Sequence, residues 1–242
     1  MKLKEIRNML LLCEIGSTAH GCSVDGQDDL DLMGIYHEED DCIYGLKTAK
    51  TYTIRDRGHG ERSQAGDTDI VVYPFRKFCA LAYKSNPTIL NLFFAPVVEE
   101  YNPIGGMIRS NANLFVSKKA ATTFMGYATH QKKRLLGELG QKKVKRPELE
   151  ERYGYDTKYA YHILRLCIQG CELLRTGTIR IPMKKSDSEF LKLVRTGGYK
   201  FDEVIEMTED SINGLKIAER ESDLPEEPDV NRINTFMRNV LI

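Results

Sequence analysis

Two aspartates separated by a single residue, Asp29 and Asp31, follow a glycine-serine pair, Gly16 and Ser17, early in the chain. If Asp29 and Asp31 belong to a strand, their side chains project from the same face, with Cα atoms about 7 Å apart. Carboxylates at that spacing repel each other unless a cation neutralises them. Mg²⁺ prefers oxygen ligands and binds one or two carboxylates together with substrate phosphates. The spacing therefore predicts a magnesium site.

A third aspartate, Asp69, opens a later β-prone segment and can supply another ligand on the same sheet face. Three carboxylates on adjacent strands can hold two ions for an in-line displacement at phosphorus. Gly16 lets the backbone approach a ligand closely, and Ser17 offers a hydroxyl and an N–H to a phosphate. Asp-x-Asp alone is common at solvated strand ends. The combination of strand, Gly-Ser, Asp-x-Asp and a second strand that opens with Asp favours phosphate chemistry.

The first hundred residues, which must position these acids, have the pattern of a mixed α/β unit. A polar, glycine-rich loop is predicted from Arg57 to Gly66, and Pro74 is predicted to open a helix. A further short helix begins near Ile89. Alternating or continuous apolar runs predict four strands, at Met9–Ile15, Asp29–Tyr36, Thr51–Arg55 and Asp69–Tyr73.

The remainder of the chain has a helical pattern. Ser117 is predicted to cap a helix that runs toward Leu136. A capping box is predicted at Ser186 and Glu189, before a helix that stops at two glycines. The boundary between the two halves is predicted near Asn102. The other predicted helices are Asp156–Arg175, one through Phe201 and Leu215, and one through Ile233 and Val240.

The bulk composition predicts a globular protein that does not enter a membrane. The 242 residues suffice for one large or two modest domains, and 41% of them are hydrophobic. No apolar run approaches the roughly 20 residues that cross a bilayer, and the start of the chain does not resemble a secretory signal. Six cysteines without a paired framework suit a reducing cytoplasm. We therefore expect a cytoplasmic protein.

The formal net charge is zero, but charge is distributed unevenly. Seven Lys or Arg residues and one acid lie between Gln131 and Arg146, and six acids and one base lie between Glu219 and Asp229. Solvated helix ends or loops are the default interpretation of such runs. The basic segment from Lys132 to Arg146 is in addition a candidate contact for phosphate or RNA.

Two runs, Gly16–Gly21 (GSTAHG) and Asp28–Ile35 (DDLDLMGI), resemble the signature of the DNA polymerase beta-type nucleotidyltransferase superfamily. More narrowly, they are similar to the branch of predicted nucleotidyltransferases associated with RNA repair. The similarity covers nearly the whole chain. It continues through Asp69–Val71, Arg76–Phe78, Lys84–Pro87, Phe115–Ala120, Gly126–Ala128, Gln131, Lys158, His162, Arg165–Leu166 and Arg195–Tyr199.

The resemblance implies an α+β fold: a nucleotidyltransferase domain over residues 1–103, with a central mixed sheet and flanking helices, then an all-helical domain over residues 104–242. It implies that Asp29 and Asp31 bind both Mg²⁺ ions, which Mn²⁺ can replace. Asp69 would bind the ion that activates the acceptor hydroxyl, and it can help to remove the proton of that hydroxyl. Gly16 and Ser17 would hold the β and γ phosphates of a nucleoside triphosphate.

The resemblance also extends to polar residues of the helical half. It favours an interpretation in which Lys158 and Arg165 neutralise the triphosphate, rather than only forming the wet side of an amphipathic helix. His162 is either a neutral group that orients a partner or a packed histidine. Lys118 follows a predicted cap and can attract an anion, with simple exposure as the alternative. Tyr127, next to Gly126, can stack on a base near a close helix crossing; tight packing alone is the alternative explanation of that glycine.

Three residues depart from the pattern of this branch. Asp28 replaces a serine, His20 stands where an aromatic residue is common, and Asn91 stands where a glutamate is common. Strand alternation puts Asp28 on the face opposite Asp29, which favours Asp29 with Asp31 as the pair of ligands. Asp67 competes with Asp69 as the third ligand, but its earlier position predicts that it lies in the loop.

The predicted function is metal-dependent transfer of a nucleoside monophosphate from an NTP, such as ATP, to an acceptor hydroxyl, with release of pyrophosphate. An RNA end is the first candidate acceptor. The alternatives are nucleotidylation of a protein or small molecule, and a nucleotide-sensing or RNA-binding module without catalysis. Asp29, Asp31 and Asp69 count against the last alternative, because a pure binder has little need to hold three repelling carboxylates.

Overall fold

The computed structural model describes residues 2–24, 28–57, 63–139 and 146–241. Part of the predicted glycine-rich loop (58–62) and part of the predicted basic segment (140–145) lie outside the described residues. Backbone contacts divide the chain into two compact units, Met1–Val116 with Pro228–Ile242, and Ser117–Glu227. Compactness does not test which segments fold independently, so the predicted boundary between residues 103 and 104 stays a prediction. No described helix is long and apolar enough to cross a membrane.

The first unit is built on a five-stranded sheet in the order β3-β4-β2-β1-β5. The β2–β4 pair is parallel, and the other three pairs are antiparallel. A central mixed sheet with flanking helices confirms the predicted α+β class. The strands are β1 (Met9–Ile15), β2 (Leu30–Tyr36), β3 (Tyr52–Arg55), β4 (Thr68–Pro74) and β5 (Val97–Glu100).

Apolar residues fix the central strands. The middle of β1 is almost fully buried, because apolar side chains cover both of its faces, which explains the continuous run Met9–Cys13 in the sequence. β2 becomes buried only after Asp31. The acidic residues therefore lie at the more open end of β2, where polar side chains can meet a ligand.

Short helices flank the sheet in the first unit. Pro74 ends β4 and is also the N-cap of the next helix. Asn86 and Asn102 cap the two helices that follow, each with a side-chain oxygen that accepts backbone N–H bonds. The helices are α1 (Gly16–Ala19), α2 (Asp40–Ile43), α3 (Phe75–Tyr83), α4 (Pro87–Phe94), α5 (Pro103–Ser110) and, from the end of the chain, α11 (Val230–Leu241).

The second unit is helical among the described residues. The long helix α8 begins after Asp156, whose side chain accepts two backbone N–H bonds, and ends at Thr176 before Gly177, close to the predicted range of Asp156–Arg175. Cys167 on α8 is buried, and burial raises the pKa of its thiol to about 12. The helices are α6 (Lys119–Leu135), α7 (Pro147–Tyr153), α8 (Thr157–Thr176), α9 (Lys185–Arg195) and α10 (Phe201–Glu221).

Two predicted helix caps are wrong. α6 begins at Lys119, and the Ser117 hydroxyl is buried without a hydrogen-bond partner rather than bonded to the first turn. α9 begins at Lys185 with Lys184 as its N-cap residue, so Ser186 lies inside the first turn and forms no capping box with Glu189. In both cases the N-cap residue is a lysine and not the predicted serine.

Helices pack closely together at Gly170 of α8, and no sequence pattern predicts this contact. A Cβ atom at this position would lie 2.6 Å from Leu215 Cδ2 and 2.9 Å from Phe124 Cδ1. A Cβ atom at Gly126 of α6, by contrast, would meet nothing within 4 Å. Close helix packing in this unit therefore depends on Gly170 and not on Gly126.

Gly170→Ala and Gly126→Ala should change stability in opposite directions. Alanine favours a helix interior over glycine by roughly 0.5–1 kcal/mol, so Gly126→Ala should stabilise the fold by about that amount. At Gly170 overpacking costs about 1–3 kcal/mol and should outweigh that gain. Urea unfolding of both variants would measure the difference. A stabilised Gly170→Ala protein would contradict the packing described here.

Candidate functional site

Three carboxylates of the first unit lie together. The side chains of Asp29, Asp31 and Asp69 each offer one oxygen, and these oxygens all lie within 4.8 Å of one another. The sheet explains the arrangement, since Asp31 and Asp69 are direct partners in the parallel β2–β4 ladder and Asp29 lies two residues before Asp31. All three side chains are partly buried. We refer to these residues as the acidic triad.

The two carboxylate oxygens of Asp69 differ in their hydrogen bonding. Its Oδ2 atom accepts a hydrogen bond from the Ser63 hydroxyl at 2.7 Å and lies 3.7 Å from Arg55 Nε. Arg55 reaches it because Arg55 and Asp69 are partners in the β3–β4 ladder. The Oδ1 atom of Asp69 is buried and has no hydrogen-bond partner. A buried carboxylate oxygen without a partner costs free energy that a bound cation can recover.

The acidic triad fits a divalent cation. Its donors are hard carboxylate oxygens, which suit Mg²⁺ and Mn²⁺ and do not favour soft thiolate-binding metals. The buried, unpartnered Oδ1 of Asp69 leaves room in the hydrogen bonding of this carboxylate for a further positive group. Asp29, Asp31 and Asp69 are the residues that would hold it.

Gly16 touches this triad. Its backbone has φ +81°, a left-handed conformation that favours glycine. A Cβ atom there would overlap Asp31 Oδ2 and lie 3.0 Å from Asp31 Cβ. Position 16 therefore requires glycine for two reasons. A Cβ atom would overlap the Asp31 carboxylate, and the turn that starts α1 has a left-handed backbone here.

Asp28 and Asp67, the two competing acids, lie outside the triad and have other partners. Asp28 accepts the Ser17 hydroxyl at 2.5 Å and the Val24 N–H at 2.6 Å. Asp67 accepts the Gln64 N–H at 2.7 Å and pairs with Arg57. The Gln64 and Arg57 hydrogen bonds lower the pKa of Asp67. Both acids therefore organise the backbone around the triad, and Asp28 fixes the side chain of Ser17.

The predicted nucleotide-binding residues of the helical half all lie in the second unit. Lys118 forms an ion pair with Glu226 at 2.8 Å, and its neighbour Lys119 pairs with Glu227 at 3.5 Å. The acidic segment before residue 229 therefore supplies carboxylates to these lysines. Tyr127 lies on α6 with 42% of its surface exposed. Nucleotide binding by Lys118 and Tyr127 stays a prediction.

Lys158, His162 and Arg165 lie along α8, all partly buried. Arg165 Nη1 donates to Gln169 Oε1 at 2.8 Å. Burial is the largest cause that lowers the pKa of His162 well below its ordinary value, followed by the charges of Arg165, Arg146, Lys158 and Arg195. This shift favours the neutral form of the His162 ring, which can accept or donate a hydrogen bond without adding charge.

Residues 2–239 match the family described as RNA repair pathway DNA polymerase beta. The chain belongs to this family. Membership confirms the resemblance seen in the sequence and indicates a nucleotidyltransferase role. No match was found among proteins of curated function.

One solved structure that resembles the chain is the crystal structure of a nucleotidyltransferase-like protein from Exiguobacterium sibiricum 255-15. The two chains share 10% identity at a TM-score of 0.32, over 90% of this chain and 70% of the other. A similarity of this size says nothing about the activity of this chain. The activity therefore has to be inferred from the site itself.

No sequence pattern identifies Ser63 and Arg55 as the partners of Asp69. Ser63 lies in a polar loop, and its bond to Asp69 depends on where that loop folds back. Arg55 ends an alternating strand, and strand order would have been needed to pair it with Asp69. His20 is buried, and Asn91 is buried within α4.

Proposed function

We propose that this protein is a divalent-metal-dependent nucleotidyltransferase that moves a nucleoside monophosphate from an NTP to an acceptor hydroxyl. The acceptor oxygen would form a bond to the α-phosphorus, and the bond from that phosphorus to the bridging oxygen of the β-phosphate would break. The hydroxyl would lose its proton and pyrophosphate would leave. The observation that carries this proposal is the acidic triad, with its oxygens within 4.8 Å of one another.

In this proposal the protein contributes position and charge more than covalent chemistry. Asp29, Asp31 and Asp69 would hold the cations, which when bound lower the pKa of the acceptor hydroxyl and neutralise phosphate charge. As a ligand of the ion that activates the acceptor hydroxyl, Asp69 would also help to remove the proton of that hydroxyl, while Ser63 and Arg55 hold its Oδ2 atom in place. The backbone of Gly16 and Ser17 would contact the β and γ phosphates at the turn beside Asp31.

We propose an RNA end as the acceptor, on the strength of the family's description as part of an RNA repair pathway. Transfer to a protein side chain or to a small molecule uses the same bond changes and differs only in the acceptor. The test is incubation with each of four α-labelled NTPs and Mg²⁺, followed by separation of RNA, protein and small-molecule fractions. Label in RNA alone supports an RNA end as the acceptor. Label only in the protein or small-molecule fraction would show that the acceptor belongs to that class instead.

Binding of metal and nucleotide should stabilise the folded protein. Mg²⁺-NTP at about 100 times its Kd should raise the free energy of unfolding by roughly 2.7 kcal/mol through mass action. A thermal-shift assay with each NTP, with Mg²⁺ and with EDTA, measures this and identifies the preferred base. If no NTP raises Tm in the presence of Mg²⁺, the proposed site is wrong.

A further inference from the structure

Burial alternates along the strand β4. Ile70 and Val72 are buried in a hydrophobic cluster. The alternate residues Asp69, Val71 and Tyr73 are only partly buried. Successive side chains of a strand point to opposite faces, so these three residues share one face of the sheet, and a helix or second sheet packed on it would bury them. β4 therefore has a core face and a face open to solvent, and Asp69 of the acidic triad lies on the open face.

The edge strand β3 extends this open face. Thr53 and Arg55 are exposed, whereas the alternate residues of β3 pack against the same hydrophobic cluster. In the antiparallel ladder Thr53 is the partner of Val71, and Arg55 is the partner of Asp69. Directly opposite residues of such a ladder lie side by side on one face. We refer to the five residues of this face as the open strip: Thr53, Arg55, Asp69, Val71 and Tyr73.

A cation lies at each end of the open strip. At one end Arg55 Nε lies 3.7 Å from Asp69 Oδ2, and 41% of the Arg55 side chain stays exposed. At the other end Lys77 extends from the first turn of α3, with Nζ 5.7 Å from the centre of the Tyr73 ring and 2.7 Å from Thr51 Oγ1. Asp69 and Tyr73 are four strand residues apart, which is about 13 Å. The strip therefore presents a guanidinium group, an aromatic ring and an ammonium group in a row.

This row of groups suits a single-stranded nucleic acid. A guanidinium group donates two parallel hydrogen bonds to a phosphate, and an ammonium group adds a compact positive charge. An aromatic ring between such cations gives a base a surface on which to stack, whatever the base. Strands at the edge of a sheet can also face water without a ligand. The open strip differs from a simple wet face because it begins at Asp69, where the acidic triad lies.

We propose that the open strip, together with Lys77, binds the single-stranded end of an RNA acceptor and leads its terminal hydroxyl to Asp69. This inference rests on the proposed function, in which Asp69 holds the ion that activates the acceptor hydroxyl. Arg55 would contact the phosphate nearest that hydroxyl. Tyr73 would stack on a base further from the end, and Lys77 would neutralise a phosphate beside that base.

The first test is binding of a fluorescently labelled single-stranded RNA to the full chain, measured by anisotropy in EDTA without NTP. Tyr73→Leu should weaken binding about fivefold to 100-fold, the range expected for the loss of one base stacked on an aromatic ring. Tyr44→Leu is the matched control, because Tyr44 is 72% exposed and lies outside the open strip. Its Kd should change less than about twofold. Equal Kd values for these variants, or no RNA binding by the unaltered protein, would overturn the proposal.

The salt dependence of binding tests the cations. Lys77→Gln should reduce the slope of log Kd against log salt concentration by about 0.7, the value for one phosphate contact with a single strand. Arg76→Gln removes a charge from the neighbouring exposed residue, whose Nη1 donates to the Cys42 carbonyl of α2 at 3.1 Å rather than toward β3. Its slope should not change. An equal fall in both variants would show only a general attraction to positive charge and would contradict the assigned path.

A positional measurement completes the test. RNA with a photoreactive terminal base should cross-link to peptides from β3 or β4, and cross-links confined to residues 117–227 would overturn the proposal. If the strip variants leave RNA binding unchanged but reduce transfer of label to protein, the acceptor at the strip is a protein and the RNA proposal is wrong. Thermal unfolding checks each variant, and the exposed Lys77→Gln decides the question if Tyr73→Leu is unfolded.

The RNA-binding measurements need neither metal nor turnover. They can therefore fail while the unaltered protein still transfers labelled nucleotide, which would reject the open strip and keep the proposed function. Conversely, specific RNA binding at the strip by a protein that transfers no nucleotide would keep the RNA surface and reject the proposed reaction.

Discussion

Asp31→Asn should abolish measurable nucleotide transfer, with a loss of about 1000-fold or more. Asp31 pairs with Asp69 in the β2–β4 ladder, lies two residues after Asp29, and offers an oxygen within 4.8 Å of both. Charge stabilisation by bound metal ions is worth several kcal/mol, and each 1.36 kcal/mol is about a factor of ten in rate. Asparagine keeps the shape of the side chain but removes its charge. Steady-state transfer of α-labelled NTP measures the effect.

Asp28→Asn is the matched control. It is the same chemical change three residues earlier, at an acid that accepts hydrogen bonds from Ser17 and Val24 and lies outside the triad. We expect kcat to fall by less than about tenfold and the KM for NTP to rise, because the Ser17 turn loses a charged acceptor worth about 1.5–3 kcal/mol. If both variants lose activity equally, the division between triad and neighbouring acids is wrong.

The sequence predicted most of the residues that meet at the triad because a strand has a strict period of two. Alternation put Asp29 and Asp31 on one face, and the β-prone run after Asp69 identified a second acidic strand. The structure brings the three carboxylates together, with Asp29 one residue before β2 and Asp69 the second residue of β4. A shift by one residue along the strand would move every side chain to the other face of the sheet. The set of residues that share a face is therefore well determined.

Strand order and direction could not be predicted in the same way. Nothing local in β2 or β4 specifies that Asp31 pairs with Asp69 in a parallel ladder, because that pairing depends on the path through α2 and β3. The strand β5 was missed because all four of its residues are exposed and no burial pattern marks it. Long-range contacts decided these features, and the bond from Ser63 to Asp69 depends on them too.

Gly16→Ala should reduce transfer by about 100-fold or more, although residue 16 has no side chain that could react. The added methyl group would overlap Asp31 Oδ2, so either the carboxylate or the turn must move. A displacement of about 1 Å at a reacting centre can cost roughly 100-fold in rate. The left-handed backbone adds about 1–2 kcal/mol of strain for any residue with a Cβ atom. Activity and thermal unfolding should be measured on the same preparation.

Gly154→Ala separates strain from contact. Gly154 ends α7 with φ +82°, almost the same angle as Gly16, but a Cβ atom there would meet nothing within 4 Å. Both variants should lose a similar free energy of unfolding from strain, whereas only Gly16→Ala should lose Mg²⁺-dependent stabilisation by NTP. If Gly16→Ala kept that stabilisation and its activity, the close approach of the glycine to Asp31 would have no part in catalysis.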